Sequence, residues 1–136
     1  MNFAECETLV EDPIIVLKEK NRQLRINNPK RQRIRRVRID GCVITDGIRC
    51  DYLIIGQNNT EYFVELKGSD IEHAVKQIET TIKSIGAKVK GIQRYSIVVS
   101  SRCPLFTPRI QQIRVYFKKK LNSDFIIKCT WCDIDL

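Results

Sequence analysis

Three apolar-rich stretches in the first half of the chain, at residues 33–44, 49–56 and 61–67, are separated by short polar segments, and the first alternates between apolar and polar positions near Val37 and Ile39. Alternation with a period of two, and short apolar runs bounded by turn residues, both predict β-strands. The segments between them, 45–47 (TDG) and 57–60 (QNNT), are rich in turn-forming residues. Because short turns join antiparallel neighbours, the pattern predicts a three-stranded meander.

A stripe of apolar residues at helical spacing follows the third strand. Its members are Ile71, Val75, Ile78, Ile82 and Ile85. Ser69 and Glu72 have the three-residue spacing of a capping box, so we expect Ser69 to be the N-cap of this helix. Gly86 is expected to end the helix.

Two further helices are predicted from capping signals. Asp12 and Pro13 have the character of an N-cap and a first helical residue, and they predict an N-terminal helix that runs to about Arg25. Thr107 and Pro108 predict a C-terminal helix in the same way. That helix would bury the apolar residues Ile110, Ile113, Phe117 and Leu121.

Strands are also predicted at residues 94–101 and 124–131, which gives the order helix, three strands, helix, strand, helix, strand. Strands that alternate with helices add parallel neighbours to a sheet. We therefore expect an α/β fold in a single domain over residues 1–136, with a mixed central β-sheet flanked by helices.

The net charge of +8 is concentrated in one segment. Residues 29–38 hold six basic residues and no acidic one, and such a block attracts polyanions, nucleic acid above all. A solvated charge run or a sorting signal is the alternative. No apolar run approaches the roughly 20 residues of a membrane span, and the N-terminus lacks the apolar core of a secretion signal. We expect a soluble, cytoplasmic protein with no membrane partner.

The six cysteines include Cys129 and Cys132, which have the two-residue gap of a zinc half-site. A structural zinc site usually needs a second pair, and the sequence has no other C-x-x-C and a single histidine, His73. Because nothing in the sequence indicates export, we expect free thiols packed as small apolar groups.

Charged residues stand at the ends of two predicted strands. Asp51 opens the second strand of the meander, and Glu65 and Lys67 close the third. If these strands are antiparallel, the three side chains meet at one end of the sheet, where two carboxylates could hold Mg²⁺. The alternative is a surface ion pair of Lys67 with either carboxylate. Asp46 is expected to be a turn residue and Asp40 to pair with an arginine, although both could lie near the metal.

Asp51, the segment "VELKG" at 64–68, the segment "SDIEHAVKQI" at 69–78 and the order of elements together resemble the PD-(D/E)XK phosphodiesterase superfamily, the restriction-endonuclease-like nucleases. The resemblance covers roughly residues 12 to 132, although its specific motif is short. It implies an αβββαβ core that hydrolyses phosphodiester bonds with Mg²⁺ or Mn²⁺. Cys50 stands where the family often has proline, which is a tolerated departure.

The resemblance also implies roles for individual residues. Asp51 and Glu65 would bind the metal, the backbone carbonyl of Leu66 would be a further ligand, and Lys67 would serve the attacking water. Many members of the family add a glutamate from the first helix.

Glu19 is the best placed candidate for that further ligand, with Glu11 and Glu7 behind it. Gln77 matches a glutamine that some repair and recombination nucleases carry on the helix after the lysine. His73 lies one turn earlier on the same helix face. Both could contact phosphate, and a polar helix face without a role is the alternative.

We therefore expect a Mg²⁺-dependent nuclease that acts on DNA, and we expect an endonuclease rather than an exonuclease. Its context would be repair, recombination such as junction resolution, or phage or defence biology. The arginines of the basic segment would bind the DNA backbone, and they are Arg31, Arg33, Arg35, Arg36 and Arg38. A homodimer or a partner protein would supply specificity. The alternatives are a non-catalytic nucleic-acid-binding subunit that keeps the fold, and an RNase or toxin-like nuclease acting on RNA.

Overall fold

The computed structural model of the chain describes residues 3–68, 70–101 and 107–136, and for Lys67 and Gly68 it describes the backbone only. The strands, numbered in chain order, are β1 (Glu7–Val10), β2 (Ile14–Glu19), β3 (Arg22–Asn27), β4 (Ile34–Arg38), β5 (Tyr52–Ile55), β6 (Glu61–Gly68), β7 (Arg94–Ser100), β8 (Asp124–Cys129) and β9 (Trp131–Asp135). The helices are α1 (Ile71–Ile85) and α2 (Pro108–Leu121). The fold is therefore α/β, as predicted.

The main sheet has six strands in the order β1-β4-β5-β6-β7-β8. The strands from β1 through β6 pair antiparallel, whereas β6, β7 and β8 run parallel. This arrangement confirms the predicted meander of β4, β5 and β6. It also confirms that the strands alternating with helices add parallel neighbours, because α1 and α2 are the crossover connections.

The predicted N-terminal helix from Asp12 to Arg25 is wrong, because this segment forms the hairpin of β2 and β3. Its buried residues follow a period of two, and they are Ile15, Leu17, Leu24 and Ile26. Lys20 makes the turn with a φ of 54°. The capping character of Asp12 and Pro13 suggested a helix, but the β-branched alternation determines the structure.

The hairpin belongs to a second sheet, in the order β2-β3-β9, that the sequence did not predict. This small sheet packs on one face of the main sheet through a cluster that includes Leu24, Ile54 and Val99. The helices pack on the other face, where Val75, Phe117 and their neighbours form a second core cluster. The main sheet is thus the middle of three layers, and its central strands are buried on both faces.

Both remaining helices lie where the apolar spacing placed them. Thr107 caps α2, and its side chain accepts a hydrogen bond from the N–H of Ile110 over 3.2 Å. In α1 the N-cap is Asp70 rather than the predicted Ser69, which lies outside the described residues. No helix in the described ranges is long and apolar enough to cross a membrane.

The expectation of free thiols is wrong for three cysteines. Cys6 and Cys42 form a disulfide across 36 residues of sequence, and Cys129 is disulfide-bonded as well. Cys50 and Cys132 are free and buried, whereas Cys103 lies outside the described residues. Since the thiols of Cys6 and Cys42 are separated in sequence but adjacent in space, only the fold shows the pairing.

Candidate active site

Asp51 lies at the end of the irregular segment that joins β4 to β5. Its N–H donates to the carbonyl of Val64 over 3.1 Å, and its Oδ2 accepts a hydrogen bond from the N–H of Leu66 over 2.9 Å. Asp51 is therefore hydrogen-bonded to the residues on both sides of Glu65. The antiparallel pairing of β5 with β6 brings together two acids that are 14 positions apart in the sequence.

Both carboxylates are buried, with Glu65 fully inaccessible and Asp51 only 7% exposed. Glu65 pairs in register with Val98, a member of the core under the helices, so it belongs to the helix face of the sheet. Two adjoining buried carboxylates destabilise each other unless cationic or hydrogen-bonding groups compensate. Such a pair is suited to a cation.

The thiol of Cys50 lies next to this acidic pair. Burial raises the pKa of the Cys50 thiol to about 12, and the nearby charges of Glu65 and Asp51 act in the same direction. The thiol consequently stays protonated at neutral pH, which excludes Cys50 as a thiolate nucleophile. The chemistry of this site therefore belongs to its carboxylates.

The pairing of β6 with β7 is irregular between Glu65 and Gly68. Bulges of this kind often re-aim side chains beside active sites. The Leu66 carbonyl, the predicted backbone ligand, accepts a hydrogen bond from Nε of Arg22 in β3. Lys67 occupies the irregular stretch, and its side chain lies outside what the structure describes.

Helix α1 holds the segment that leads into Asp51. The side-chain amide of Gln77 donates to the carbonyl of Arg49 over 3.1 Å. Thr81 Oγ1 accepts from the N–H of Cys50 over 2.9 Å and donates to the Gln77 carbonyl over 2.8 Å. Gln77 thus contacts the protein backbone. Thr81 was not identified from the sequence as a residue that supports the site. The feature that could have indicated it is a hydroxyl-bearing side chain within the buried stripe of α1, three residues after Ile78.

The other residue predicted on α1, His73, is exposed in the first turn, and its N–H donates to the Asp70 cap. Asp40 forms the expected ion pair with an arginine, which is Arg49 at 2.8 Å. Asp46 is exposed in the loop before Gly47, as expected of a turn residue.

The prediction placed a metal-binding glutamate on an N-terminal helix, but the N-terminal glutamates lie on strands or in the segment between them. Glu7 and Glu11 form ion pairs with Arg35 and Arg33 at 2.7 and 3.0 Å. The hydrogen bond from Arg35 holds the pKa of Glu7 below its usual value. Glu19 faces Arg22 in register, at the end of the hairpin that reaches the Leu66 carbonyl.

The arginines of the basic segment are divided between environments. Arg33 and Arg35 are neutralised by the ion pairs just described, and Arg31 is exposed with a φ of 47°. Arg36 and Arg38, by contrast, line a groove on the face of β4 that meets the small sheet. The five arginines predicted to bind DNA therefore lie in different surroundings, and two of them are already paired with glutamates.

The donor set at Asp51 and Glu65 fits a hard divalent cation. Mg²⁺ is commonly held by one or two carboxylates, with water and substrate phosphate as the remaining ligands. Within the described ranges, no group of three or more His, Cys, Asp or Glu side chains could hold a metal ion. Any metal at this site would accordingly depend on two carboxylates and on ligands that are not acidic side chains.

No family model, curated protein or solved structure matches the chain. Inferences about function therefore depend on the geometry of the site and on the sequence motif.

Proposed function

We propose that the protein is a metal-dependent phosphodiesterase that cleaves DNA as an endonuclease and has a restriction-endonuclease-like core. The observation that carries the proposal is the position of Asp51, hydrogen-bonded to the backbone on both sides of the buried Glu65. The order β4, β5, β6, α1, β7 supports it, because it reproduces the βββαβ part of that core. The N-terminal helix of the core is replaced by the β2–β3 hairpin.

In the proposed reaction, Asp51 and Glu65 hold the cation. The Leu66 N–H fixes the orientation of the Asp51 carboxylate, while Gln77 and Thr81 hold the backbone before it. Mg²⁺ or Mn²⁺, when bound, would lower the pKa of a coordinated water and stabilise negative charge on phosphate. We assign Lys67 to orient the attacking water and to neutralise the charge that develops.

Basic residues outside the acidic pair would bind the phosphate backbone without reading its sequence. Arg31, Arg36 and Arg38 suit this role, because Arg33 and Arg35 are already paired with glutamates. We propose that a second copy of the chain or a partner protein supplies specificity, since contacts to the phosphate backbone carry no sequence information.

The direct test compares wild type with Asp51→Ala and Glu65→Ala, with Asp46→Ala as a control because Asp46 is an exposed acid in the same loop. Each protein is incubated with single-stranded, duplex and branched DNA and with RNA, in Mg²⁺, Mn²⁺ or chelator. We expect metal-dependent DNA cleavage by wild type and Asp46→Ala alone, with unchanged circular dichroism in all four proteins.

The same experiment separates the alternatives. Wild-type-like cleavage by either alanine variant at position 51 or 65 contradicts the proposal. Binding of nucleic acid without turnover in any metal supports a non-catalytic subunit. Cleavage confined to RNA supports an RNase or toxin-like nuclease with the same residues.

A further inference from the structure

A groove of about 520 Å³ opens between the outer edge of β2 and the face of β4 and β5. Its charged lining consists of the cations Lys18, Arg36 and Arg38 and one carboxylate, Glu5. The Cys6–Cys42 disulfide forms part of the wall. The groove therefore has an excess of positive charge in a confined space.

This groove lies on the sheet face opposite α1. Arg36 and Arg38 are two positions apart on β4, so they share the face of Ile34, which packs against the small sheet. Arg38 is paired in register with Tyr52, the residue directly after Asp51, and Tyr52 also lines the groove. The groove and the acidic pair are consequently on the two faces of the same strand end.

The carboxylate of Glu5 offsets only part of the positive charge of the groove. In the ranges that the structure describes, none of the three cations forms an ion pair. Arg35 in β4 and Arg33 just before β4, by contrast, are both paired with glutamates. Among the residues that the structure describes, one hydrogen bond involves these side chains, and it joins Arg38 Nε to the Asp40 carbonyl over 3.2 Å. An excess of one sign of charge in a confined space attracts a ligand of the opposite sign, here an anion.

We infer that this groove binds the phosphodiester backbone of a single nucleic-acid strand. The inference deepens the proposed function and rests on it for the choice of nucleic acid over other anions. The volume of the groove is in the range of small-molecule pockets, which suits one or two nucleotides of a single strand better than a whole duplex.

Two details of the lining favour a nucleotide strand. Alternate residues of a strand are about 6.7 Å apart, so Arg36 and Arg38 can contact successive phosphates rather than one. The half-buried ring of Tyr52 offers a surface on which a base can stack. A strand held here would pass the end of β5, where Asp51 lies on the other side.

The test measures binding of a fluorescein-labelled oligothymidine in chelator, where no cleavage occurs. The triple variant Lys18→Gln, Arg36→Gln, Arg38→Gln is compared with Lys118→Gln, Lys119→Gln, Lys120→Gln, which removes the same charge from the last turn of α2. We expect the groove variant to lose at least about tenfold in affinity and to show a salt-dependence slope smaller by about 2, because three single-strand phosphate contacts are removed. The α2 variant should change affinity by less than about twofold.

Equal affinity of the groove variant and wild type would overturn the inference, as would a wild type that does not bind the oligonucleotide. Thermal melting checks the fold of each variant. If the triple variant does not fold, Lys18→Gln with Arg38→Gln replaces it, since both side chains are exposed.

Competition assigns the ligand class. Unlabelled oligothymidine should displace the probe, whereas inorganic phosphate, poly-glutamate and a blunt duplex should not do so at matched charge concentration. Equal competition by phosphate, poly-glutamate or duplex would overturn the assignment to a single nucleic-acid strand.

Failure of this inference is distinguishable from failure of the proposed function. If the wild type cleaves DNA and the groove variant binds the oligonucleotide normally, the inference about the groove is rejected and the proposed nuclease activity is kept. If binding depends on the groove but no metal-dependent cleavage is seen, the nuclease proposal is rejected and the inference about the groove is kept.

Discussion

Strand β6 carries two buried glutamates, and their surroundings differ in kind. Glu61, near the start of the strand, accepts a hydrogen bond from Arg94 Nε over 2.8 Å and another from the Ala87 N–H over 3.0 Å. The Arg94 guanidinium also donates to the carbonyls of Leu121 and Ala87. Glu65, four residues later and fully buried, lies next to a second carboxylate, Asp51.

The contrast separates a structural acid from a candidate catalytic acid. At Glu61 the charge is compensated by a buried cation and an amide, so the pair links α1, β7 and the end of α2. Glu65, by contrast, lies beside a second buried carboxylate, and two like charges in one buried site destabilise each other. Natural proteins retain such unfavourable arrangements mainly at functional sites, where stability is lost for activity.

The largest expected effect comes from exchanging each glutamate for glutamine. Glu61→Gln should lower the free energy of unfolding by about 3–5 kcal/mol, because it leaves the Arg94 charge buried without its partner. Glu65→Gln should lower that free energy less than Glu61→Gln does, because it also removes the repulsion between two adjoining carboxylates. Urea denaturation measures both, and metal-dependent cleavage should be lost only in Glu65→Gln under conditions where both proteins are folded. A comparable destabilisation by the two changes would remove the distinction between the sites.

The Cys6–Cys42 disulfide should stabilise the end of the sheet that holds Asp51. With the cysteines 36 positions apart in sequence, the paired Cys6→Ser and Cys42→Ser variant should lose about 4 kcal/mol of stability. Cys132→Ala is the control, since Cys132 is a buried free thiol. Hydrogen exchange should quicken around residues 40–44 and remain slow around Arg94. Wild-type stability in the doubly substituted protein would contradict a native disulfide.

Thr81→Val should weaken the support behind Asp51. The change removes the acceptor of the buried Cys50 N–H, which costs about 1–3 kcal/mol. Thr80→Val, one residue earlier and only half-buried, is the matched control and should have little effect. Thermal melting gives the stability, and cleavage should fall further in the Thr81 variant than in the control. Equal behaviour of the two would show that this hydrogen bond does not position the site.

The smallest expected effect concerns the partly exposed pair of Glu7 and Arg35. Arg35 lowers the pKa of the Glu7 carboxyl, so the pair contributes stability above the ordinary value of 4.5, and this contribution is lost as pH falls through the lowered pKa. Arg35→Gln should therefore destabilise by about 1 kcal/mol or less at neutral pH. Denaturation curves of variant and wild type should converge in acid. A difference that persists or grows in acid would show that Arg35 stabilises by packing instead.

Much of the fold could be predicted from local patterns, and the errors have a physical cause. The stripe on α1 and the short apolar runs of β5 and β6 are strong signals because a few neighbouring residues determine them. The β2–β3 hairpin was mistaken for a helix because Asp12 and Pro13 suit either context. Its alternating apolar residues stabilise a strand only when another sheet, here that of β4 and β5, covers their face.

The candidate site was predictable in its residues but not in its contacts. Asp51 and Glu65 follow from the motif and from the antiparallel pairing of their strands. Thr81 and the engagement of the Leu66 carbonyl by Arg22 could not be predicted, because each joins residues more than 30 positions apart. The pairing of Arg33 and Arg35 with glutamates likewise depends on β1 and the segment after it lying beside β4.

Side-chain period and composition are enough to predict helices α1 and α2, the meander, the acidic residues at its end and the excess of positive charge. Three features could be seen only in the folded chain: the hydrogen bond of Asp51 beside Glu65, the disulfide between Cys6 and Cys42, and the division of the arginines between ion pairs and a groove. These features depend on distances between strands, and such distances are set by packing across all three layers rather than by neighbours in the chain.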